Sequence, residues 1–325
     1  MVRKSLIAIA AAILAMLTAL PTAVAQGYPR KPIRLVVPFA PGGTTDIVAR
    51  VVAGNITPHL GQTMVVENKG GGGGVIGATE TARAARDGYS LGVATVSTVA
   101  TVPAVQPNVP YNPLTDFTPI TNMAATPNVI SVHPSFPAKD YKAFLEEIKN
   151  NPDKYSFASS GHGAITHLLM ELFMSLSGTK MTHIAYKGSG PALNDVVAGQ
   201  VPISLDNLPS SLPFIKSGRL VPIIVMAPER LKQLPGVPTF KEVGLEAVNR
   251  MAWYGVYGPK GLPKEIVDKL HGALKKTLDE PNVRARIEDA ASIVVANTPE
   301  EFAQQIKAEY DVYKRVVQER QIKPE

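Results

Sequence analysis

Short, apolar, β-branched runs, each ending in a glycine-rich turn that leads into a helical pattern, constrain this fold most. The first run is IRLVVPF (33–39), followed by the turn APGGTTD and the helical stretch DIVARVVAGNITPHL. Runs this short read as buried strands. The order repeats in TMVVEN (63–68), five glycines, VIGATETARAA and GYSLGVAT. Strand, loop and helix in that succession mean a parallel sheet with helices on its faces. A Pro-rich stretch (102–119) then gives way to an extended segment near 121–132, as a crossing between two lobes would be. Beyond it a second series begins, with YSFASS, KMTHIAYKG, VPISLDN and LVPIIVMA as strands. WYGVYGPKGLP (253–263) reads as a last strand and turn, and two amphipathic helices close the chain with solvated charged faces.

The N-terminus reads as an export signal. Arg3 and Lys4 precede an apolar run (6–20), and Ala23 and Ala25 stand in A-x-A register. Cleavage after Ala25 leaves 325 − 25 = 300 residues, and a retained anchor is the alternative. Export matters because the chain has no cysteine. Disulfides, thiol catalysis and thiolate zinc sites are all excluded, so the core alone must hold the fold. The net charge of +6 becomes 6 − 2 = +4 once Arg3 and Lys4 are removed. Basic residues are scattered and aromatics are 6%, which argues against nucleic acid. Mild positive charge favours anionic ligands.

Four loops at strand ends carry the candidate chemistry. Gly72, Gly74 and Gly77 satisfy G-x-G-x-x-G letter by letter. A dinucleotide fingerprint, however, follows the first strand and is answered by an acid about 20 residues on. Here the glycines follow the second strand, and Asp87 comes too soon. The run reads instead as bare backbone lining a cleft, with a flexible surface loop as the plainer alternative. In PFAPGGTTD, Gly43 or Thr44 can cap the next helix, and with Gly43 as cap Asp46 can reach back to close a capping box. Such a helix start suits a carboxylate. Ser159, Ser160 and Gly161 repeat that geometry in the second series. His167 and Glu171, four apart, suggest a helix-face hydrogen bond; without a closely spaced third ligand, zinc is rejected. Tyr186, Lys187 and Asp206 mark the remaining strand ends. No loop offers a nucleophile with its base or a paired acid, so the cleft is expected to bind without reacting.

These segments, with P-F-x-x-G-G-x-x-D and Y-K-G-[SA]-x-P-A-L, stand in one order along the whole mature chain. In this the sequence resembles the extracytoplasmic solute receptors of tripartite tricarboxylate transporters, often called the Bug family. The resemblance implies an α/β, two-lobed periplasmic binding protein fold of type II-like form. Each lobe is a mostly parallel sheet flanked by helices, and crossing strands join them. Lobe 1 would comprise 26–124 and 228–325, lobe 2 125–227. It implies a periplasmic monomer that is not an enzyme and has no cofactor or metal. It would hold a small carboxylate and deliver it to transporter membrane subunits, or report to a sensor kinase. Phe39, Ala40, Gly42, Gly43, Thr44 and Asp46 match the family's first binding loop, and the glycine run with Gly72 and Gly73 its second. Ser97, Thr98, Ser159, Ser160, Gly161, His162, Gly163, His167, Tyr186, Lys187, Gly188 and Asp206 match the rest. The long glycine run and His162 depart from the usual pattern. Phe39, Tyr186 and Trp253 would admit an aromatic acid, and an aliphatic dicarboxylate fits equally well. An exported NAD-linked enzyme is the rival from another class.

Overall fold

Residues 27–322 are the part of the chain that the computed structural model describes. The expected signal segment and its cleavage site lie outside that part. The first β-branched run forms β1 (Ile33–Val37), and only Arg34 escapes full burial. The reason is position: β1 pairs in parallel with β2 (Met64–Asn68) on one edge and β3 (Ser90–Thr95) on the other. A strand flanked on both edges and covered on both faces has no polar side to present. Its neighbours in sequence are α1 (Thr44–Ala53), the short α2 (Thr57–Leu60) and α3 (Val75–Ala82). A single π-helical turn (Ser97–Thr101) and α4 (Val102–Val105) follow β3.

β4 (Phe117–Thr126) runs straight into β5 (Asn128–Val132), with Pro127 alone between them. β4 lies in one sheet and β5 in the other. Proline cannot donate to a ladder, so it suits the one residue that belongs to neither sheet. The second series is α5 (Tyr141–Asn150), β6 (Ser156–Ser159), α6 (Ile165–Ser177), β7 (Thr182–Ala185) and α7 (Ser189–Val197). β8 (Ile203–Asn207), α8 (Leu208–Lys216) and β9 (Val221–Met226) complete it. Residues 227–251 lead back to β10 (Ala252–Pro259) in the first sheet. The chain then closes with α9 (Lys264–Asp279), α10 (Pro281–Asp289), the short β11 (Ile293–Val294) and α11 (Pro299–Arg320).

The first sheet has the order β11-β4-β10-β3-β1-β2 and the second β7-β6-β8-β5-β9. The expected parallel pairing holds for the strands that carry the loops: β2, β1 and β3 in one sheet, β7, β6 and β8 in the other. The crossing strands depart from it. β10 is antiparallel to β3 and β4, and β5 is antiparallel to β8 and β9. Direction follows from entry point. Each crossing strand enters its sheet at the end where the loop-bearing strands finish, and so must run the opposite way.

On α11, Phe302, Ile306, Tyr313 and Val317 are buried at helical spacing. Phe302 meets Trp253 edge-on, with ring centroids 5.3 Å apart. Each such side chain contributes about 1.5–3 kcal/mol on burial. The outer faces of the closing helices carry exposed pairs, Lys264–Asp268, Lys275–Asp279 and Lys307–Asp311. One apolar cluster contains residues of both sheets, Leu35 and Val93 together with Ile130 and Phe157. The two sheet units are therefore joined by packing as well as by chain.

Candidate functional site

The loop after β1 is braced from within. Gly42 adopts φ +88°, and its N–H donates to Asp46 Oδ2 at 3.1 Å. Gly43 is the helix cap, which puts Asp46 at the third helical position, but Asp46 reaches back past the cap to Gly42, so the expected capping box is not closed. Arg50 Nε donates to both Asp46 oxygens at 3.0 Å and Asn68 Nδ2 to one at 2.9 Å. Burial opposes the charge on Asp46, but the bonds from Arg50, Asn68 and Gly42 outweigh it and hold the carboxyl below its usual range. Asp46 is thus a brace for the loop and does not line the cavity beside it.

That cavity lies between the two sheet units. It is lined by Phe39, Gly43, Thr45, Thr95, Ser97, Ser160, Ile165, Ser189, Asn207, Trp253 and Tyr254, and no lining side chain is charged. It is tight, with room for about one water molecule. Four helices start on it. α1, α6, α7 and α8 have Gly43, Ala164, Gly188 and Asn207 as caps, and none of these caps bonds its helix through a side chain. The first N–H of α6 is taken by Ser97 Oγ at 3.0 Å, and that of α8 by the Pro127 carbonyl at 2.9 Å. α1 and α7, one from each unit, abut: a Cβ on Gly43 would stand 3.1 Å from Ser189 Cβ. Two positive helix ends facing one cavity make it a place for an anion.

Of the residues expected from sequence, Phe39, Gly43, Ser97 and Ser160 line the cavity. Others close it. The Ala40 N–H donates to the Lys187 carbonyl at 2.9 Å, and Thr44 Oγ1 pairs with Ser210 Oγ at 2.9 Å. A Cβ on Gly70 would stand 2.6 Å from that same Lys187 oxygen, and one on Gly73 (φ +64°) would overlap the His162 carbonyl. Gly72 and Gly73 form a 3-10 turn against the other unit. The glycine run is therefore an interlobe contact, with no room for a pyrophosphate. Thr98 Oγ1 binds the Thr95 backbone, and Ser160 Oγ binds Thr166 Oγ1 at 2.8 Å. The Lys187 side chain is exposed. Tyr186 donates to Asp195 at 2.6 Å, outside the cavity lining, and burial pushes its phenol up to about 12.

Asp206 accepts from the hydroxyls of Ser189, Ser210 (2.6 Å) and Ser211 (2.9 Å). Burial pushes its carboxyl above the usual range in spite of them. Sequence reasoning noticed Asp206 but missed this hydroxyl cage, and it missed Thr45, Ser189, Asn207 and Tyr254 as lining residues.

The histidines need a correction. His183, from β7, joins His162 and His167, with one ring nitrogen from each within 4.8 Å of the others. His162 and His183, which the sequence set apart from His167, are therefore brought beside it. The His167 and His183 rings, however, stack face to face, 3.8 Å apart and 11° from parallel. Nitrogens sharing a tetrahedral zinc lie about 3.3 Å apart, with each lone pair in its ring plane aimed at the ion. Parallel rings send theirs side by side. Gly163 N–H donates to His167 Nδ1 at 3.1 Å, while His167 Nε2 stands 3.6 Å from Glu171, beyond hydrogen-bond range. Ser159 Oγ bonds His183 Nε2 at 2.7 Å. The cluster braces the Ser159–Gly163 loop.

A family model described as "Tripartite tricarboxylate transporter family receptor" matches residues 48–322. Protein BugT of Bordetella pertussis is 34% identical over 91% of this chain and 91% of its own length. A solved structure of a periplasmic transporter is 50% identical, with a TM-score of 0.90, over 92% of this chain and 100% of that one. Two Rhodopseudomonas palustris structures are similar over their full lengths. MatC (Rpa3494) with bound malate is 33% identical, with a TM-score of 0.86, over 89% of this chain. Rpa4515 with adipate is 32% identical, with a TM-score of 0.88, over 92%. Among the described residues, no helix is long and apolar enough to cross a membrane.

Proposed function

The chain belongs to the receptor family of tripartite tricarboxylate transporters, and we propose that it captures a small di- or hydroxycarboxylate in the cavity where α1 and α7 face each other. The observation that carries this reading is the pair of helix starts without side-chain caps, one from each unit, in a cavity without charged side chains. A carboxylate there is held by N–H groups and dipoles. Those contacts gain strength as closure excludes water. Malate in MatC and adipate in Rpa4515 support the ligand class.

The two moving bodies are those expected from sequence, with the first crossing at Pro127 rather than after residue 124, because β4 stays in the first sheet through Thr126. The cavity is too tight to admit an acid directly, so the bodies part to load it. They close through Ala40–Lys187, Thr44–Ser210 and Ser97–Ile165. The mature protein begins after Ala25, works in the periplasm as a monomer, catalyses nothing and hands its closed form to transporter membrane subunits. A thermal-shift panel of carboxylic acids tests the reading: a diacid or hydroxy acid raises Tm, and small-angle scattering shows contraction at saturation. If no carboxylate in the panel shifts Tm, the reading fails.

A further inference from the structure

The hydroxyls around the cavity differ in one respect. Ser97 accepts from the Ile165 N–H, Ser160 bonds Thr166, and Ser189 donates to Asp206. Tyr254 does none of this. It lies on β10 opposite Thr95, is 2% exposed and lines the cavity, and its hydroxyl makes no well-formed hydrogen bond among the described residues, the Thr44 hydroxyl being near enough only for a poorly aligned contact. A buried hydroxyl without a partner is unfavourable, and the fold keeps one where the ligand reading places the ligand. Its environment says what oxygen it would meet. Thr44, at the first position of α1, is close by, and Asp206 is near enough to act on the phenol electrostatically. Three serine hydroxyls donate to Asp206, so it stands there as an acceptor. A second carboxylate at Tyr254 would be repelled by Asp206. An uncharged oxygen would not.

We propose that Tyr254 determines which carboxylic acid the protein takes. Its hydroxyl donates to an uncharged hydroxyl or keto oxygen on the ligand, next to the carboxylate held at the helix starts. The ligand class is then a hydroxy- or oxo-carboxylic acid. This rests on the carboxylate reading above.

Two pairs of acids differing only in that oxygen test it, malate against succinate and 2-oxoglutarate against glutarate, titrated calorimetrically into the mature protein and its Tyr254→Phe variant. In at least one pair the wild type prefers the oxygenated acid by about tenfold or more. Tyr254→Phe abolishes that preference and leaves the plain diacid within about twofold. The variant melts no lower than wild type without ligand, because the hydroxyl it removes has no well-formed hydrogen bond to lose. No preference in either pair overturns the proposal, as does an undiminished preference in the variant or an equal loss for both acids of a pair. A drop in the unliganded Tm also overturns it, because the hydroxyl would then be structural. If the wild type binds no acid in the wider carboxylate panel, the carboxylate reading itself falls, which is a different result from binding without discrimination.

Discussion

Asp46 and Asp206 stand beside the same cavity in different units, each near the start of a helix, and they answer burial in opposite ways. Asp46 has a cation: Arg50 lies across its carboxylate, with Asn68 and the Gly42 N–H completing the set. Asp206 has only neutral donors, the hydroxyls of Ser189, Ser210 and Ser211 and the Asn207 backbone. A positive partner offsets lost hydration where neutral donors do not. The carboxyl of Asp46 therefore sits below its reference value of 3.8 and that of Asp206 above it. Linkage gives them opposite signs. The contribution of Asp46 is present above the unfolded value and is lost as pH falls through the lower folded one. That of Asp206 is full below the unfolded value and is lost as pH rises through the raised folded one. The wall with Asp46 is braced by its charge at neutral pH. The wall with Asp206 can hold a charge only at a cost.

The largest expected effect comes from keeping the two walls apart. A Cβ on Gly190 would overlap the Pro41 carbonyl oxygen across the interface. Gly190→Ala therefore leaves its own helix intact, removes ligand binding by about 100-fold or more, and prevents contraction in scattering. Normal affinity in this variant would mean that the walls do not meet as described. Next comes Asp46→Ala, which costs about 2 kcal/mol in urea unfolding at pH 7. The deficit shrinks as pH is lowered through the carboxylate range; a deficit constant with pH would remove Asp46 from the comparison. The smallest is Asp206→Asn, which keeps the shape and one of the two acceptor oxygens. It raises the unliganded Tm by about one or two degrees at pH 8, and the gain closes towards pH 4. A loss at pH 8 would show that the hydroxyl cage compensates Asp206 fully.

Local spacing made one wall legible and left the other obscure. Gly42, Gly43 and Asp46 fall within five consecutive residues, so a reach-back by Asp46 could be read from helix-cap geometry, though not its move past the cap to Gly42 or its bonds to Arg50 and Asn68. The strand–turn–helix units, and with them the parallel half of each sheet, were legible for the same reason. The cage around Asp206 joins three serines from two turns, with Ser189 arriving from 17 residues upstream. Tyr254 was hidden differently: all eight residues of β10 are buried, so no alternation marks which side chains face the cavity. The antiparallel crossing strands depend on where each enters its sheet, and His183 reaches the other histidines only because β7 pairs with β6. Composition and period carry no record of either.

The bond from the Ile165 N–H to Ser97 Oγ crosses between the units. A helix usually finds its cap in its own neighbouring chain, but α6 borrows one from across the gap. Whenever the halves separate, that amide loses its acceptor and meets water. Deuterium uptake at Ile165 would then count openings, and a bound acid would slow it by the factor by which it suppresses them. A single backbone position thus serves as an internal clock for the loading cycle.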